Sequence, residues 1–317
     1  MPHATAGGPG RIHGDGSVTA HAPAKINVHL AVGPLRADGF HELTTVYLAV
    51  SLLDSVTAWP DDGLSLTVTG EGAGGDVPTD SRNLVWQAAE LLARHAGVRA
   101  DAALHIDKSI PAAAGLAGGS ADAAAALVAL DALWGTRCTR GDLAGLAARL
   151  GSDVPFSLVG GVALGTGRGE QLSPSLSRRR TDWVLGVAGT GLSTPKVYRE
   201  LDRLRATGQV AADAGAGQPD DVLTALRDGP DATLAGFLAN DLQAPALELR
   251  PDLRAGLAAM TGAGALGALV SGSGPTVAGL VEDADAAAGT ADALVAAGAF
   301  RLAHAVHGPV PGARLAG

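Results

Sequence analysis

Residues 109–134 read SIPAAAGLAGGSADAAAALVALDALW, and the change of pattern within this stretch decides the fold. Its first half is a run of Ala and Gly that is too small to pack much core. After Ser120 the apolar residues Leu127, Leu130 and Trp134 recur at helical spacing, and Ser120 is a residue type that caps helix N-termini. The stretch therefore predicts a small-residue loop that leads directly into a helix.

The predicted loop ends at a helix N-terminus, which carries unpaired N–H groups and about half a positive charge. Such an end can hold a phosphate, and Gly115, Gly118 and Gly119 can turn several N–H groups toward one anion. The chain contains no Gly-Lys-Ser/Thr ending of a Walker A loop, and the glycine spacing of a dinucleotide-binding fold fits poorly. In a chain with 45 glycines, the loop alone leaves phosphate binding and plain helix packing as equal alternatives.

Composition restricts the class of protein. The 317 residues are 47% hydrophobic and carry a formal net charge of −9, which argues against a nucleic-acid-binding surface. No stretch is apolar enough to span a bilayer, and the first residues lack the basic and apolar segments of a signal peptide. The lone Cys138 excludes an internal disulfide and a cysteine-based zinc cluster. We therefore expect a soluble, cytoplasmic protein without a nucleic-acid or membrane partner.

The apolar pattern along the chain predicts a mixture of strands and helices that is typical of an α+β fold in two layers. Residues 1–16 are rich in Gly and Pro and predict a disordered tail. A Ser/Pro/Arg connector separates an N-terminal domain, residues 17–175, from a C-terminal domain, residues 176–317. The Arg178–Arg180 run in this connector fits a solvated loop better than a phosphate site. Residues 205–221 have low complexity and predict a flexible insertion.

Three further segments carry candidate functional residues. In KINVHLAV the residues alternate along a strand, which predicts that Lys25, Asn27 and His29 share its polar face. In GSDVPFSLVGG, Asp153 lies between a helix end and a turn that Pro restricts. SGSGPTVAGL, residues 271–280, is a second small-residue loop that enters a strand. Taken alone, Lys25 fits an exposed strand lysine and Asp153 a turn residue or helix cap.

The order of these segments resembles the GHMP kinases. PAAAGLAGGS matches the family motif of a Pro, a small-residue loop and Gly-Leu, which the whole superfamily shares. The resemblance covers residues 18–300 and narrows to the branch that acts on a cytidine-diphosphate-linked alcohol. The segments that carry it are APAKINVHLAVGPLRADGFHEL, NLVWQAAELL, GSDVPFSLVGGVALGTGRGE, STPKVY and SGSGPTVAG.

This resemblance implies a two-domain fold with the active site in the cleft between the domains. The N-terminal domain would be ribosomal-protein-S5-like and the C-terminal domain a ferredoxin-like α/β sandwich. The implied reaction transfers the γ-phosphoryl group of ATP, with Mg²⁺, to a tertiary hydroxyl of cytidine-diphosphate-linked methylerythritol in the non-mevalonate route to isoprenoid precursors. The partner is then a small-molecule substrate, and the protein is a monomer or a homodimer.

The resemblance also implies roles for individual residues. Asp153 would accept the proton of the attacking hydroxyl, while Lys25 would keep Asp153 ionised. The ATP phosphates would lie on one loop, made of Pro111, Ala112, Ala113, Ala114, Gly115, Leu116, Ala117, Gly118, Gly119, Ser120 and Ala121. The substrate would contact a second set, with two aromatic rings as a slot for the base and with Arg199 as the alternative to Lys196: Asn27, Phe40, His41, Thr194, Lys196 and Tyr198. The metal ligands stay unknown, with Ser120 a candidate, and Asp122 fits the helix dipole better than a metal.

Two other functions stay open at this point. A GHMP kinase for homoserine or a mevalonate derivative would share the loop but lack the RADGFHEL and STPKVY pair that suits a cytidine. A non-catalytic relative that binds a nucleotide or sugar would keep the loop and lose the acid–base pair. The presence of both Lys25 and Asp153 argues against this second alternative.

Overall fold

The computed structural model describes residues 14–73, 77–177, 179–211 and 218–317, which form two β-sheets with helices packed against them. The strands are β1 (Val18–Leu35), β2 (His41–Trp59), β3 (Leu64–Gly70), β4 (Ala102–Lys108), β5 (Val162–Thr166), β6 (Gln171–Ser175), β7 (Thr181–Val187), β8 (Ala239–Asn240), β9 (Gly267–Val270), β10 (Val277–Val281), β11 (Leu302–Gly308) and β12 (Arg314–Leu315). The helices are α1 (Leu84–Ala96), α2 (Gly118–Trp134), α3 (Arg140–Leu150), α4 (Val154–Val159), α5 (Thr194–Ala206), α6 (Pro219–Asp228), α7 (Asp231–Phe237), α8 (Gln243–Leu249), α9 (Asp252–Gly262) and α10 (Ala284–Ala296). Within these described ranges, no helix is long and apolar enough to cross a membrane.

The first sheet is built around the long antiparallel strands β1 and β2, in the order β12-β1-β2-β4-β3. β5 pairs with β2 and β6, and the short β8 pairs with β1. Helices α1 and α2 pack together, and α2 lies against both long strands. Because β8 and β12 follow the predicted connector in the chain, the C-terminal part of the sequence returns twice to the first sheet.

The second sheet is antiparallel, with the strand order β11-β7-β10-β9. Helices α9 and α10 contact it. Val184, Met260, Val277 and Phe300 are buried together in the core between these elements. The predicted division of the chain near residue 176 stays a prediction, although β7, the first strand of this sheet, begins five residues later.

The low-complexity segments are only partly described. Residues 1–13 of the predicted tail, Arg178 and residues 212–217 of the predicted insertion lie outside the described residues. The described ends of that insertion are helical, since α5 continues to Ala206 and α6 begins at Pro219.

The arginine run is ion-paired in its described part. Arg179 bonds Asp231 at 2.6 Å with a side chain that is 23% exposed, whereas the 54% exposed Arg180 pairs with Asp182. The prediction of a solvated loop therefore fits Arg180, whose side chain is mostly exposed, better than Arg179.

Helix α2 is largely buried, and its most frequent residue is alanine, the residue with the highest helix propensity. It begins at Gly118, and its N-cap is Ala117 in the left-handed conformation, three residues before the N-cap that the sequence predicts. The prediction that Ser120 caps the helix is wrong: Ser120 lies inside the first turn, and its N–H donates to the Ala117 carbonyl oxygen at 3.0 Å. The helix ends at Gly135, which is also left-handed.

A β-bulge in β1 changes which side chains face the site. Between Asn27 and His29 the register against β2 shifts, so that two residues of β1 oppose one of β2. The bulge reverses the alternation, and the cavity described below is lined by Lys25, Asn27 and then Leu30. The prediction that His29 shares the polar face of Lys25 and Asn27 is therefore wrong.

His29 is instead fully buried, and among the described residues neither of its ring nitrogens has a hydrogen-bond partner. Burial lowers the pKa of His29, because the charged imidazolium loses its hydration. The unfolded chain binds this proton near pH 6.5, and the folded chain binds it only at lower pH. The stability contributed by the neutral ring is therefore complete above about pH 6.5 and decreases as the pH falls below that value.

We expect His29→Gln to weaken the dependence of Tm on pH between about pH 7.5 and 5.5, since the variant has no proton to take up there. Thermal unfolding at several pH values measures this slope. The matched control is His105→Gln, because His105 is half-exposed and hydrogen-bonded to Thr67 and Thr69. Equal slopes for wild type and His29→Gln would contradict the assignment.

Candidate active site

The small-residue loop before α2, the Asp153 turn and the second small-residue loop all open into one cavity of about 740 Å³. It lies between the first sheet, the N-terminal end of α2 and one face of α5. Most of the predicted site residues line it: Lys25, Asn27, Phe40, His41, Ala113, Ala114, Gly115, Ala117, Gly118, Gly119, Ser120, Asp153, Thr194 and Tyr198. The structure thus brings together residues that are up to 173 positions apart in the chain (Lys25 to Tyr198).

Four predicted loop residues lie outside this cavity. Pro111 and Ala112 line a second cavity of about 400 Å³, whose lining also includes Ala113 and Ala114. Leu116 and Ala121 are fully buried in the core. These four residues are part of the loop but do not line the main cavity.

Helix α5 presents one face to the cavity. Thr194, Tyr198 and Asp202 are four residues apart, so they share this face, and all three line the cavity. Lys196 lies two residues from either neighbour and is exposed, and it is not among the described residues that line the cavity. Of the two basic residues that the sequence offered for this region, Lys196 and Arg199, it is Arg199 that lines the cavity. The sequence analysis missed Asp202, although its four-residue spacing from Tyr198 was available to identify it.

The loop owes its shape to three residues with positive φ: Ala113 at 51°, Gly115 at 79° and Ala117 at 58°. Gly115 is required, because a Cβ there would lie 2.4 Å from the backbone oxygen of Ser271 in the second small-residue loop. Ala113 and Ala117 hold an angle that costs alanine about 1–2 kcal/mol. The backbone conformation that we predicted at Gly118 and Gly119 is therefore adopted mainly by the two alanines.

Gly118 and Gly119 form the first residues of α2 and line the cavity. At Gly118 a Cβ would lie 3.1 Å from the Ile110 side chain and 3.3 Å from Nζ of Lys108, so any larger residue would push these side chains outward. The first N–H groups of the helix and the positive end of its dipole therefore face the cavity, with no side chain in the way. This arrangement suits a phosphate.

Lys25 and Asp153 meet at the wall of the cavity. Nζ of Lys25 lies 3.7 Å from Oδ2 of Asp153 and donates to Oδ1 of Asn27 at 2.7 Å. Asp153 is the N-cap of α4, yet its side chain makes no capping hydrogen bond there. Instead its Oδ1 accepts a hydrogen bond from the Tyr47 hydroxyl at 3.1 Å. The carboxylate is thus directed to the cavity rather than to its own helix.

Tyr47 is a site residue that sequence reasoning missed. Its ring stacks on Phe156 with centroids 4.8 Å apart, and Nζ of Lys25 lies 5.7 Å from the ring centroid. Burial raises the pKa of the Tyr47 hydroxyl, and the negative charge of Asp153 raises it further. Tyr47 therefore stays protonated and donates a hydrogen bond to Asp153, which restricts the orientation of the carboxylate.

The other end of the cavity is aromatic. Phe40 is 49% exposed, and the guanidinium carbon of Arg168 lies 4.9 Å from its ring centroid. Tyr198 stacks on His41 with centroids 5.2 Å apart and an angle of 27° between the planes. Nε2 of His41 is in turn 2.9 Å from Oδ1 of Asp202. Apolar ring faces from the residue just before β2 and from α5 therefore lie at this end of the cavity.

Comparisons with known proteins agree with this geometry. The family model for the GHMP kinases N terminal domain matches residues 83–161, and the model for GHMP kinases C terminal matches residues 223–299. A 4-diphosphocytidyl-2-C-methyl-D-erythritol kinase of Rhodococcus jostii (strain RHA1) is 57% identical over 298 residues, covering 94% of each chain. This chain belongs to the 4-diphosphocytidyl-2-C-methyl-D-erythritol kinases. The enzyme of that name from Mycobacterium tuberculosis (strain ATCC 25618 / H37Rv) is 54% identical over 300 residues, 95% of this chain and 93% of the relative.

Solved structures extend the similarity of this kinase to its fold. A crystal structure of 4-(cytidine 5'-diphospho)-2C-methyl-D-erythritol kinase matches with a TM-score of 0.74 at 35% identity, covering 94% of this chain and 99% of that one. A homoserine kinase from Cytophaga hutchinsonii ATCC 33406 reaches the same TM-score at 21% identity and supports the fold alone. The α+β GHMP kinase fold that the sequence predicts is confirmed.

Beneath the loop, the kinase contains a buried ion cluster that corrects one prediction. Asp122 is 2% exposed and accepts a hydrogen bond of 2.7 Å from Nζ of Lys108, which also donates to Asp54 at 2.6 Å. The other oxygen of Asp54 accepts the N–H groups of Ser109 and Ile110, each at 2.7 Å. The interpretation of Asp122 as a first-turn residue that complements the helix dipole is wrong, because a buried cation binds it.

The oxygen ligands in the cavity fit a metal ion that binds together with the phosphates of a substrate. Among the described residues, no three His, Cys, Asp or Glu side chains form a cluster able to hold a metal ion. The cavity does contain the Asp153 carboxylate and the Ser120 hydroxyl. Mg²⁺ is commonly held by one or two carboxylates together with substrate phosphates. These residues therefore fit Mg²⁺ bound as part of Mg-ATP.

Proposed function

We propose that this chain transfers the γ-phosphoryl group of ATP to the tertiary 2-hydroxyl of 4-diphosphocytidyl-2-C-methyl-D-erythritol, which gives the 2-phosphate and ADP. The observation that carries the proposal is that one cavity contains the Lys25–Asp153 pair, the N-terminal end of α2 and an aromatic end. A homoserine or mevalonate kinase would need the first two features but has no use for a base slot. The names of the relatives at 54–57% identity support the same substrate.

In this proposal Asp153 accepts the proton of the attacking hydroxyl. The oxygen then forms its bond to the γ-phosphorus while the bond from that phosphorus to the bridging oxygen of ADP breaks. Lys25 holds the carboxylate at 3.7 Å, and its charge offsets the negative charge on the reacting oxygens. The Tyr47 hydrogen bond fixes the carboxylate, because phosphoryl transfer depends on alignment.

The loop and the start of α2 bind the phosphates of ATP in this proposal. Ala113, Ala117, Gly118 and Gly119 have side chains no larger than a methyl group, so an anion can approach the backbone N–H groups. Asp153 and Ser120 are the residues that would hold Mg²⁺. When bound, Mg²⁺ would neutralise part of the negative charge on the phosphates.

We also propose a setting for this reaction. The enzyme acts in the cytoplasm on a small molecule, as a monomer or a homodimer, without a nucleic-acid or membrane partner. The single Cys138 is compatible with a reducing compartment, and the net charge of −9 disfavours a polyanionic partner.

The test is ADP release with Mg-ATP and four alcohols: the cytidine-linked methylerythritol, free methylerythritol, homoserine and mevalonate. We expect turnover only with the first compound. The Phe40→Leu variant is then expected to raise its KM by about 5- to 150-fold, since a stacked base is worth about 1–3 kcal/mol. KM for ATP should not change.

Phe237→Leu is the matched control for this variant, since Phe237 is 39% exposed at the end of α7 and does not line the cavity. Turnover of homoserine or mevalonate alone would reject the proposed substrate and retain the phosphoryl chemistry. ATP binding without turnover of any alcohol would favour the non-catalytic alternative. An unchanged KM in Phe40→Leu would remove the stacking slot.

A further inference from the structure

Asn27 holds the ammonium group of Lys25 on the wall of the cavity. The two residues lie two positions apart on β1, both are buried, and Nζ of Lys25 donates to Oδ1 of Asn27 at 2.7 Å. This contact is shorter than the 3.7 Å between Nζ and Oδ2 of Asp153. The position of the ammonium group therefore depends on the orientation of the Asn27 amide.

The direction of each hydrogen bond around Asn27 follows from the chemistry of its neighbours. An ammonium group only donates, so the amide oxygen of Asn27 must face Lys25 and the amide nitrogen must face away from it. On that other side, Nδ2 donates to the hydroxyl oxygen of Thr45 at 2.8 Å. The hydroxyl has one hydrogen, which it donates to the backbone oxygen of His29 at 2.7 Å. Thr45 can therefore only accept from Asn27.

This chain of hydrogen bonds leaves the amide one favourable orientation. Turning the amide over would set its NH2 group against the ammonium group of Lys25, where both groups are donors. Thr45 is fully buried and is not among the described residues that line the cavity. A buried amide that loses a partner pays the cost of desolvation without compensation. The Thr45 hydroxyl thus fixes the amide from behind the cavity wall.

The strand that carries Thr45 also holds the other member of the charged pair. Thr45 and Tyr47 are two residues apart on β2, so their side chains lie on the same face of the sheet, and Tyr47 donates to Asp153 at 3.1 Å. Strand β5 leaves room for both, because a Cβ at Gly165 would lie 2.6 Å from the Tyr47 ring and 3.1 Å from the Thr45 methyl group. One strand therefore positions both charged groups of the proposed site.

We propose that Thr45 is a positioning residue for phosphoryl transfer: it fixes the amide of Asn27 with the oxygen toward Lys25, which keeps the ammonium group beside Asp153. The inference deepens the proposed function and rests on it, because the position of Lys25 matters to turnover only if its charge acts on the reacting oxygens. Thr45 acts through two other side chains and does not contact the reacting atoms.

The test is steady-state ADP release by Thr45→Val, a variant that keeps the shape of the side chain and loses the hydroxyl. Nδ2 of Asn27 then has no acceptor at this position, and the amide no longer holds Lys25 in place. We expect kcat to fall by about 10- to 100-fold, since a misplacement of about 1 Å can cost about 10²-fold. KM for ATP should stay within about threefold, because the phosphate loop is not part of this chain of hydrogen bonds.

A double variant separates positioning from general damage. In a Lys25→Met background Thr45 has no ammonium group to position, so adding Thr45→Val should change kcat by no more than about twofold. Thr45→Ser keeps the hydroxyl and should restore most of kcat. If a thermal melt shows that Thr45→Val does not fold, Thr45→Ala makes the same comparison, since it removes the hydroxyl and only reduces the volume.

Thr57→Val is the matched control. Thr57 also lies on β2, and its hydroxyl is 2.9 Å from that of Thr19 on β1. It is not among the described residues that line the cavity. The same loss of a hydroxyl between the same two strands should therefore leave kcat at the wild-type value.

The outcomes distinguish this inference from the proposed function. If Lys25→Met lowers kcat and Thr45→Val does not, the positioning role is overturned and the proposed function stands. An equal loss of kcat on removal of the hydroxyl with and without Lys25 would also overturn it, because Thr45 would then act independently of the ammonium group. If wild type itself turns over no cytidine-linked substrate, the proposed function fails and this inference fails with it.

Discussion

Replacing Asp153 with Asn is expected to lower kcat by about 10²- to 10⁴-fold, the usual contribution of a general base. The amide keeps the shape of the side chain and can still accept the hydrogen bond from Tyr47, but it cannot take the proton of the attacking hydroxyl. Asp153 makes no capping hydrogen bond and its side chain is 31% exposed, so the fold should not depend on its charge. KM for ATP should therefore change little.

Steady-state ADP release measures this effect, with a thermal melt to verify folding. Asp285→Asn is the matched control, because Asp285 is an exposed residue in the first turn of α10, outside the cavity. Lys25→Met should also lower kcat, and adding Asp153→Asn to it should cost less than the product of the single effects, because the two residues act as a unit. Turnover of Asp153→Asn within about threefold of wild type would remove Asp153 from the role of base.

The parts of the fold that sequence predicts well are those that local patterns determine. Apolar spacing after Ser120 predicts α2, and the small residues before it predict a loop, because both depend on neighbours within a few positions. The approach of Lys25 and Asp153 follows from the resemblance to a family, since no local pattern relates residues 128 positions apart.

The errors arise where a distant partner determines the conformation. The bulge after Asn27 is a property of the ladder between β1 and β2, and one extra residue in it directs His29 away from the cavity. The helix starts at Gly118 because the loop turns at Ala117, against the intrinsic preference of alanine for negative φ. Tyr47 and Asp202 reach the site through contacts that only the assembled fold creates.

The buried cluster beneath the loop leads to the largest expected effect on stability. Changing Lys108 to Met should lower the free energy of unfolding by about 3–5 kcal/mol, the usual cost of removing one partner from a buried ion pair. Asp54 is fully buried, and without Lys108 the only partners of its carboxylate within the described part of the chain are the N–H groups of Ser109 and Ile110. Burial lowers the pKa of Lys108, but its two carboxyl partners, Asp122 and Asp54, outweigh burial and raise the pKa above its ordinary value.

Asp122→Asn supplies the matched control within the same cluster. Burial raises the pKa of Asp122 well above its ordinary value, and the nearby charge of Asp54 raises it further. The folded protein therefore tolerates a neutral group at this position, and we expect the Asn variant to stay within about 1 kcal/mol of wild type. Urea unfolding measures both variants, and equal losses for Lys108→Met and Asp122→Asn would contradict the charge argument.

Comparing Lys108→Met with Asp122→Asn also tests whether the buried cluster supports the small-residue loop of the proposed site. Asp54 accepts hydrogen bonds from the backbone just before the small-residue loop, and Lys108 ties Asp54 to Asp122 in the second turn of α2. Losing the cation should therefore loosen the loop before the protein unfolds, and KM for ATP should rise in Lys108→Met at temperatures where it is still folded. In Asp122→Asn the Asp54–Lys108 contact remains, so KM for ATP should match wild type. A Lys108→Met variant that is less stable but binds ATP normally would show that the cluster supports the core and not the loop.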